Sequence, residues 1–341
     1  MEGPGPGEPI DNNKNNGLIS GFFAENHGAE PSEDMRVPNP ERAGTQSKIR
    51  STKLETNSND RMSPPIDNPQ TVTIIAPQQG WIALNIREIW RYRELFYFLT
   101  KREIQVRYRQ TVLGGLWAII QPFMTMVVFT LFFGKLAKVP SEGVPYPIFV
   151  YAGLLPWMYF ANALSASGNS LVNNANLITK VYFPRLIIPA SGALAGLLDF
   201  SIALAVLFAM MIYYHCLPGP AIVLLPVLVG LTFLCAVGVG SWLSALNVQY
   251  RDIRYAIPFG IQLWMFVSPV IYPVGLVGEK YRWVLALNPM GGLIDAYRCV
   301  LLGHRPVDWP LLLISTLIIL LLFISGIGYF RRVERTFADV V

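Results

Sequence analysis

The sequence predicts an all-α membrane protein. It should hold six transmembrane helices, an amphipathic helix before them, a short helix on the cytoplasmic side and a helix pair on the outer side. Three observations lead there. Only 14% of the 341 residues are charged while 52% are hydrophobic, against about 25% charged in a soluble domain. Six runs carry at most one charged side chain each, at lengths near the roughly 20 residues that a crossing needs. Lys and Arg gather at the ends of alternate runs, the asymmetry that orients membrane proteins.

The first element is a tail. Residues 1–70 hold seven Lys/Arg and eleven Asp/Glu, net −4, leaving net +9 for the remainder of a chain whose total is +5. The tail is rich in Gly, Pro, Asn and Ser with almost no apolar clusters, a composition that cannot offset its own ordering entropy. It has no apolar stretch of signal-peptide type, so a disordered cytoplasmic tail is expected. A short β-like piece, "TVTIIAP" (71–77), opens a cytoplasmic segment over 71–110. Over 84–109, Ile89, Tyr92, Phe96 and Leu99 recur at one helix face, interleaved with Arg87, Arg91, Lys101 and Arg102. That is a basic amphipathic helix suited to the headgroup plane. The basic remainder is read as cations flanking spans, not as a nucleic-acid surface.

The transmembrane part covers 111–341, with spans expected at 112–134, 146–172, 186–214, 221–248, 255–278 and 309–330. All lack charged side chains except the third, which contains Asp199. With the N-terminus inside, fourteen Lys/Arg fall on the cytoplasmic side and six on the outer side, among them Arg298 and Arg305; both termini are then cytoplasmic. Between the second and third spans lies "NNANLITKVYFPR" (173–185), too short and polar to cross. It reads as a small helix with an Asn at its N-cap, an apolar face at Leu177, Ile178, Val181 and Tyr182, Lys180 on the polar side, and a stop at Pro184. An apolar face on so short a helix can fill a groove on a partner. Residues 279–308 form the second oddity: moderately apolar, too short to span, and best read as a re-entrant or interfacial helix pair on the outer side.

Little in the chain supports chemistry of its own. No Walker A sequence, HExxH or nucleophile elbow occurs, and Cys216, Cys235 and Cys299 lie too far apart for a metal or disulfide spacing. An enzyme acting on glycans needs poised carboxylates or a His, and the spans offer only Asp199. A lone intramembrane carboxylate is a functional candidate by default; the reading favoured for Asp199 is a hydrogen bond to a neighbouring helix. No catalytic residue, metal site or cofactor is assigned.

Several stretches carry a resemblance. "LTKREIQVRYRQTVLGGLWAIIQPFM" (99–124), "YAGLLPWMYFANALSASGNSLVNNANLITKVYFPRLIIP" (151–189), "NVQYRDIRY" (247–255), "MFVSPVIYP" (265–273) and "LNPMGGLIDAYR" (287–298) resemble the ABC-2 type permeases of polysaccharide exporters, those of O-antigen, capsule and teichoic acid. The resemblance runs from about Trp81 to Val341. It implies a non-enzymatic homodimer of six-span subunits in the cell inner membrane, served by two copies of a cytoplasmic ABC ATPase that binds the ATP and Mg. It implies a cargo of glycan on a polyprenyl diphosphate. It makes the amphipathic helix, with Arg91, Phe96, Lys101 and Arg102, an interface helix. It also makes 173–185 the coupling helix, with Leu177, Ile178, Lys180, Val181, Tyr182 and Arg185 at the ATPase, and 279–308 a pair of gate helices. Aromatic side chains are expected along the channel, the candidates being Trp117, Phe123, Trp157, Tyr159, Phe160 and Trp264. An ABC-2 exporter of a drug or lipid is the alternative, and it matches "NANLITKVYFPR" and "RDIRY" less well.

Overall fold

The structure is a computed structural model of the chain and describes residues 90–109, 114–216, 218–278, 282–334 and 337. The expected tail, the piece at 71–77 and the start of the amphipathic helix, including Arg87 and Ile89, lie outside the described residues. Those residues contain no strand and form ten α-helices: α1 (Arg93–Arg109), α2 (Trp117–Phe129), α3 (Tyr146–Asn173), α4 (Ala175–Lys180), α5 (Ile187–Tyr213), α6 (Leu225–Gln249), α7 (Ile253–Val267), α8 (Arg282–Leu287), α9 (Pro289–Leu302) and α10 (Trp309–Glu334). A 3-10 turn precedes α2 and a π-helical segment, Thr130–Leu136, extends it. Among the described residues five helices are long and apolar enough to cross a membrane: Gly114–Leu136, Tyr146–Asn173, Ile187–Tyr213, Pro220–Gln249 and Trp309–Glu334.

The bundle is built around α3. Every residue from Ile148 to Trp157 is buried, and α3 packs chiefly against α6 and α5, then against α9, α2 and α7. In lipid the tails outside are as apolar as a Leu core, so close backbone approach and interhelical hydrogen bonds must do what water exclusion does elsewhere. The crossing of α6 and α10 is of that kind. A Cβ added at Gly326 would lie 2.0 Å from the Gly238 carbonyl oxygen, and one at Gly238 would lie 2.6 Å from the Phe323 Cα. Leu313, Leu317, Leu320, Leu321 and Ile324 of α10 are left exposed on the outside of the bundle.

One expected span is broken. The run 255–278 reads as continuous because it holds no charge, yet α7 ends at Val267 and spans about 22 Å at 1.5 Å per residue, short of a core about 30 Å thick. Ser268, which precedes Pro269, is extended at ψ 144, the conformation that a following proline imposes. The chain then turns through 268–273 and a 3-10 turn at Val274–Leu276. Beyond it, α9 departs from an interfacial placement: all of Pro289–Leu302 is buried, packed on α3, α10 and α6. Asn288 caps it, accepting from the Met290 amide at 3.1 Å and donating to Ser268 Oγ at 2.9 Å. Gly303, at φ +62, ends it in the left-handed region that glycine enters without steric cost.

The break would leave carbonyls stranded in the bundle, and Arg298 answers them. Counted above as a cation flanking a span, Arg298 is instead fully buried. Its guanidinium donates to the Phe149 carbonyl at 3.3 Å, to the Tyr272 carbonyl at 3.2 Å and to the Val270 carbonyl. It also lies over the Phe149 ring, 3.9 Å from the centroid, a cation–π contact. Gly153 makes room, since a Cβ there would sit 2.5 Å from the guanidinium. Replacing Arg298 with Met keeps bulk but leaves the Val270 and Tyr272 carbonyls without a donor, at about 1–3 kcal/mol each. The thermal midpoint of the purified protein in detergent should fall sharply, and less so for Arg298→Lys, which keeps the charge without the planar fork. A midpoint unchanged in Arg298→Met would mean that the break does not depend on it.

Candidate functional site

At one end of the bundle, α4, the start of α1 and the end of α10 share an apolar cluster containing Leu99, Ile178, Phe183, Leu186, Phe330 and Phe337, with Tyr92, Phe96 and Leu177 packed against it. The six-residue α4 therefore divides the expected apolar face. Ile178 is 4% exposed and points into the bundle, whereas Val181 is 51% and Tyr182 75% exposed; Lys180 is exposed beside them. Val181 is already extended and ends the helix three residues ahead of Pro184. Asn174 stands at the N-cap position without capping α4: its side chain donates back to the Ser170 carbonyl at 2.9 Å, closing the last turn of α3 instead. Arg185 donates to the Glu334 carbonyl and lies 5.9 Å from the Phe337 ring centroid, so it ties α4 to α10. The exposed loop Tyr250–Asp252 and Arg254 and Tyr255 of α7 follow the last turn of α6.

On α1, Phe96 faces the cluster, while Arg91, just before the helix, and Lys101 and Arg102 are exposed. The far end of α1 reaches inward. Arg107 pairs with Asp199 of α5, and the Tyr108 hydroxyl donates to the other carboxylate oxygen. The intramembrane carboxylate is thus bonded to the amphipathic helix and not to another span. These three groups sit on a chamber of about 540 Å³ between α1, α2, α3 and α5, lined also by Trp117, Gln121, Tyr159, Asn162, Ser165, Asn169, Asn173 and Phe200. Sequence reasoning passed over this stripe. Its signal was present, since Asn162, Ser165, Asn169 and Asn173 recur at helical spacing along one face of an otherwise apolar span.

The aromatic candidates separate. Trp157, Tyr159 and Phe160 are buried inside the protomer, at 3% exposure or less, while Trp117 and Phe123 are exposed. Trp264 is half-buried, donates to Asn288 Oδ1 at 2.9 Å and meets Phe160 edge to face at 5.1 Å. Tyr159 packs on Phe200 at 5.4 Å, forming a wall of the chamber. At the opposite end of the bundle, Glu142 accepts from Arg305 Nε at 3.0 Å and contacts His304 Nε2 at 3.0 Å, and Arg305 also pairs with the buried Asp295. This cluster fastens the loop before α3 to the end of α9. Of the three free cysteines, Cys235 and Cys299 are buried and Cys216 is half-buried. Among the described residues no group of three His, Cys, Asp or Glu could hold a metal ion.

A multi-helix apolar bundle, with exposed side chains on a short helix at one end and a polar chamber opening among its spans, has the build of a membrane permease. The chain belongs to the ABC-2 type transporter family, whose model matches residues 94–302. It is 32% identical over 260 residues to the O-antigen export system permease protein RfbA of Myxococcus xanthus, covering 75% of this chain and 98% of that one. A permease of the same description from Klebsiella pneumoniae is 27% identical over 250 residues, 73% of this chain and 95% of that one. The polysialic acid transport protein KpsM of Escherichia coli is 23% identical over 243 residues, covering 69% and 91%.

The Asp199 bonds set an expectation that distinguishes charge from hydrogen bonding. Asp199→Leu should destabilise by about 1–2 kcal/mol more than Asp199→Asn, which keeps an acceptor for Tyr108. Because Asn still leaves Arg107 without its counter-charge, adding Arg107→Gln to Asp199→Asn should recover part of the loss. Thermal midpoints of the four-member cycle read the coupling directly. Strict additivity would show that the pair contributes nothing.

Proposed function

We propose that the chain is the permease subunit of an ATP-driven exporter that moves a lipid-linked polysaccharide, O-antigen or a related cell-surface glycan, across the cell inner membrane. The observation that carries this is the similarity over nearly the whole length of the O-antigen and polysialic acid permeases. The end bearing α4 is read as cytoplasmic, following the fourteen-to-six distribution of Lys and Arg, and both termini lie there. The segment from α7 to α9 then serves as the sixth, broken crossing, with α8 and α9 as gate helices on the outer side. The chain works as a homodimer, with the exposed apolar face of α7, including Phe259, Leu263 and Phe266, available to a second copy.

Two ABC ATPase subunits supply the energy, and their ATP and Mg stay on those partners. Lys180 at the end of α4 and Val181 and Tyr182 just beyond it form the docking face, with Leu177, Ile178 and Arg185 holding that region to the permease. α1 lies along the membrane as the interface helix, with Arg91, Lys101 and Arg102 toward headgroups or motor and Phe96 toward the bundle. Trp117 and Phe123 are the aromatic candidates left open to the cargo path. Trp157, Tyr159, Phe160 and Trp264 act behind it as packing, with Tyr159 reaching the chamber wall.

Topology reporters fused after Ser141, Gly219 and Gly278 should register outside, and those after Asn174 and Asp252 inside; an inverted pair would overturn the six-crossing plan. Removing the gene should leave lipid-linked glycan inside the cell and strip it from the surface, and an unchanged surface glycan would overturn the export reading. Val181→Asp with Tyr182→Asp should leave yield and thermal midpoint intact while the ATPase fails to co-purify. Ile178→Asp should instead collapse the permease itself, because an unpaired buried charge costs about 3–5 kcal/mol.

A further inference from the structure

The chamber between α1, α2, α3 and α5 is out of place in a lipid-facing surface. Its polar stripe on α3 runs from Asn173, at the end bearing α4, to Asn162, about 16 Å deeper at 1.5 Å per residue. Asp199 lies at a similar depth, twelve residues into α5. Polar side chains at that depth face a water-filled cavity or the bundle interior, because hydrocarbon offers them nothing. Asn169 is spent within the bundle, donating to the Ser165 carbonyl at 2.9 Å and accepting from Asn247 at 3.1 Å. The side-chain amides of Gln121, Asn162 and Asn173 are exposed and form no hydrogen bond among the described residues. Each retains both donors and an acceptor.

The charges in the chamber cancel. Arg107 and Asp199 pair with each other, and Tyr108 takes the remaining carboxylate oxygen. Among the described residues lining the chamber no unpaired cation is left to attract a phosphate, which Arg and Lys would otherwise bind by charge-assisted bonds. What remains is a set of neutral amides that both donate and accept, beside the exposed Trp117 and a wall made by the buried Tyr159 and Phe200. That combination matches a sugar ring, whose hydroxyls need donors and acceptors side by side and whose C–H face packs on an aromatic plane. About 540 Å³ lies within the range of small-ligand pockets.

We propose that this chamber, inside a single protomer and open toward the cytoplasm, is a binding site for the sugar rings of the cargo, and that it selects neutral, hydroxyl-rich rings in preference to the diphosphate. The proposal rests on the export reading and on the orientation given with it. It places a first contact with the glycan beneath the amphipathic helix, at residues that need no second copy of the chain to complete the site.

Cysteine labelling tests it on the full chain in inside-out membrane vesicles. Asn162→Cys is compared with Leu320→Cys on the outer face of α10 and with Asn176→Cys on exposed α4, using a membrane-impermeant maleimide. The unsubstituted chain provides the background. Vesicles come from cells making their own glycan and from cells treated with tunicamycin, which stops glycan initiation on the polyprenyl carrier. Asn162→Cys should label well above Leu320→Cys. In the glycan-bearing vesicles it should label about threefold more slowly than in treated ones, as for a site two-thirds occupied. Asn176→Cys should label equally in both, and inorganic pyrophosphate added to treated vesicles should protect nothing.

Equal rates at position 162 in the two vesicle types, or labelling no faster than at position 320, would overturn the site. Protection by pyrophosphate would overturn its preference for neutral rings. If surface glycan persists after gene removal, the export reading fails whatever the labelling shows; if export is lost but position 162 is never protected, only the site fails.

Discussion

A backbone carbonyl inside a bilayer has no water to bond, and the bundle can depart from continuous helices only where something else supplies donors. Arg298 is that supply. The Ser268–Pro269 break strands carbonyls at Val270 and Tyr272, and the buried guanidinium meets both while also reaching Phe149 on the central helix. Its cost of desolvation is offset by these bonds and by the Phe149 ring beneath it. Because the break is tolerated, the chain can fold α9 into the bundle, and α9 can hold the opposite end together through Asp295, Arg305 and Glu142.

The central helix meets two demands at once. Its first half is apolar and fully enclosed, with Tyr151 bonding the Ala203 carbonyl at 3.3 Å. Its second half turns an amide stripe toward the chamber and a small-residue face toward α6. There a Cβ at Gly240 would collide with Ser167 at 2.4 Å, and Asn247 donates to the Gly168 carbonyl at 3.0 Å. Small residues and interhelical hydrogen bonds are the means of association available when lipid competes equally for apolar contact. The stripe is therefore held by a rigid element.

The span limits were legible because absence of charge over about 20 residues has few other meanings. The helix starts at Tyr146, Ile187 and Trp309 lie within a residue of the runs read from composition. The same criterion misread 255–278, where Pro269 carried the decisive local information and charge carried none. Arg298 was misread for a related reason: a cation near a span end is normally a headgroup anchor, and only tertiary structure reveals carbonyls in need of it. On α4 the apolar pattern was real, but the helix ends at Lys180 and the extended Val181 and the Tyr182 after it leave the face that Ile178 buries. Ile178 and Tyr182 look equivalent in sequence and are opposite in space. The chamber was legible in α3 alone, though its neutrality was not, because that depends on Arg107 and Asp199, 92 positions apart, finding each other.

These placements define how force could cross the molecule. A push on Val181 and Tyr182 bears on a helix too short to bend, whose inner side is Ile178 in a cluster shared with Leu99 of α1 and Phe330 of α10. Arg185 links the same region to Glu334, so α4, α1 and the end of α10 form one packed block, and packed cores respond by discrete rearrangement rather than by stretching. The other end of α1 is fastened to α5 by Arg107 and Tyr108 on Asp199, in the lining of the chamber. A tilt of that block must therefore either carry Asp199 with it or break the pair. Carrying it would change the spacing of α5 and α3 across the chamber, whereas breaking it would uncover a cation where the site is otherwise neutral. The ion pair thus sits where motion of the block and the chemistry of the chamber cannot change independently.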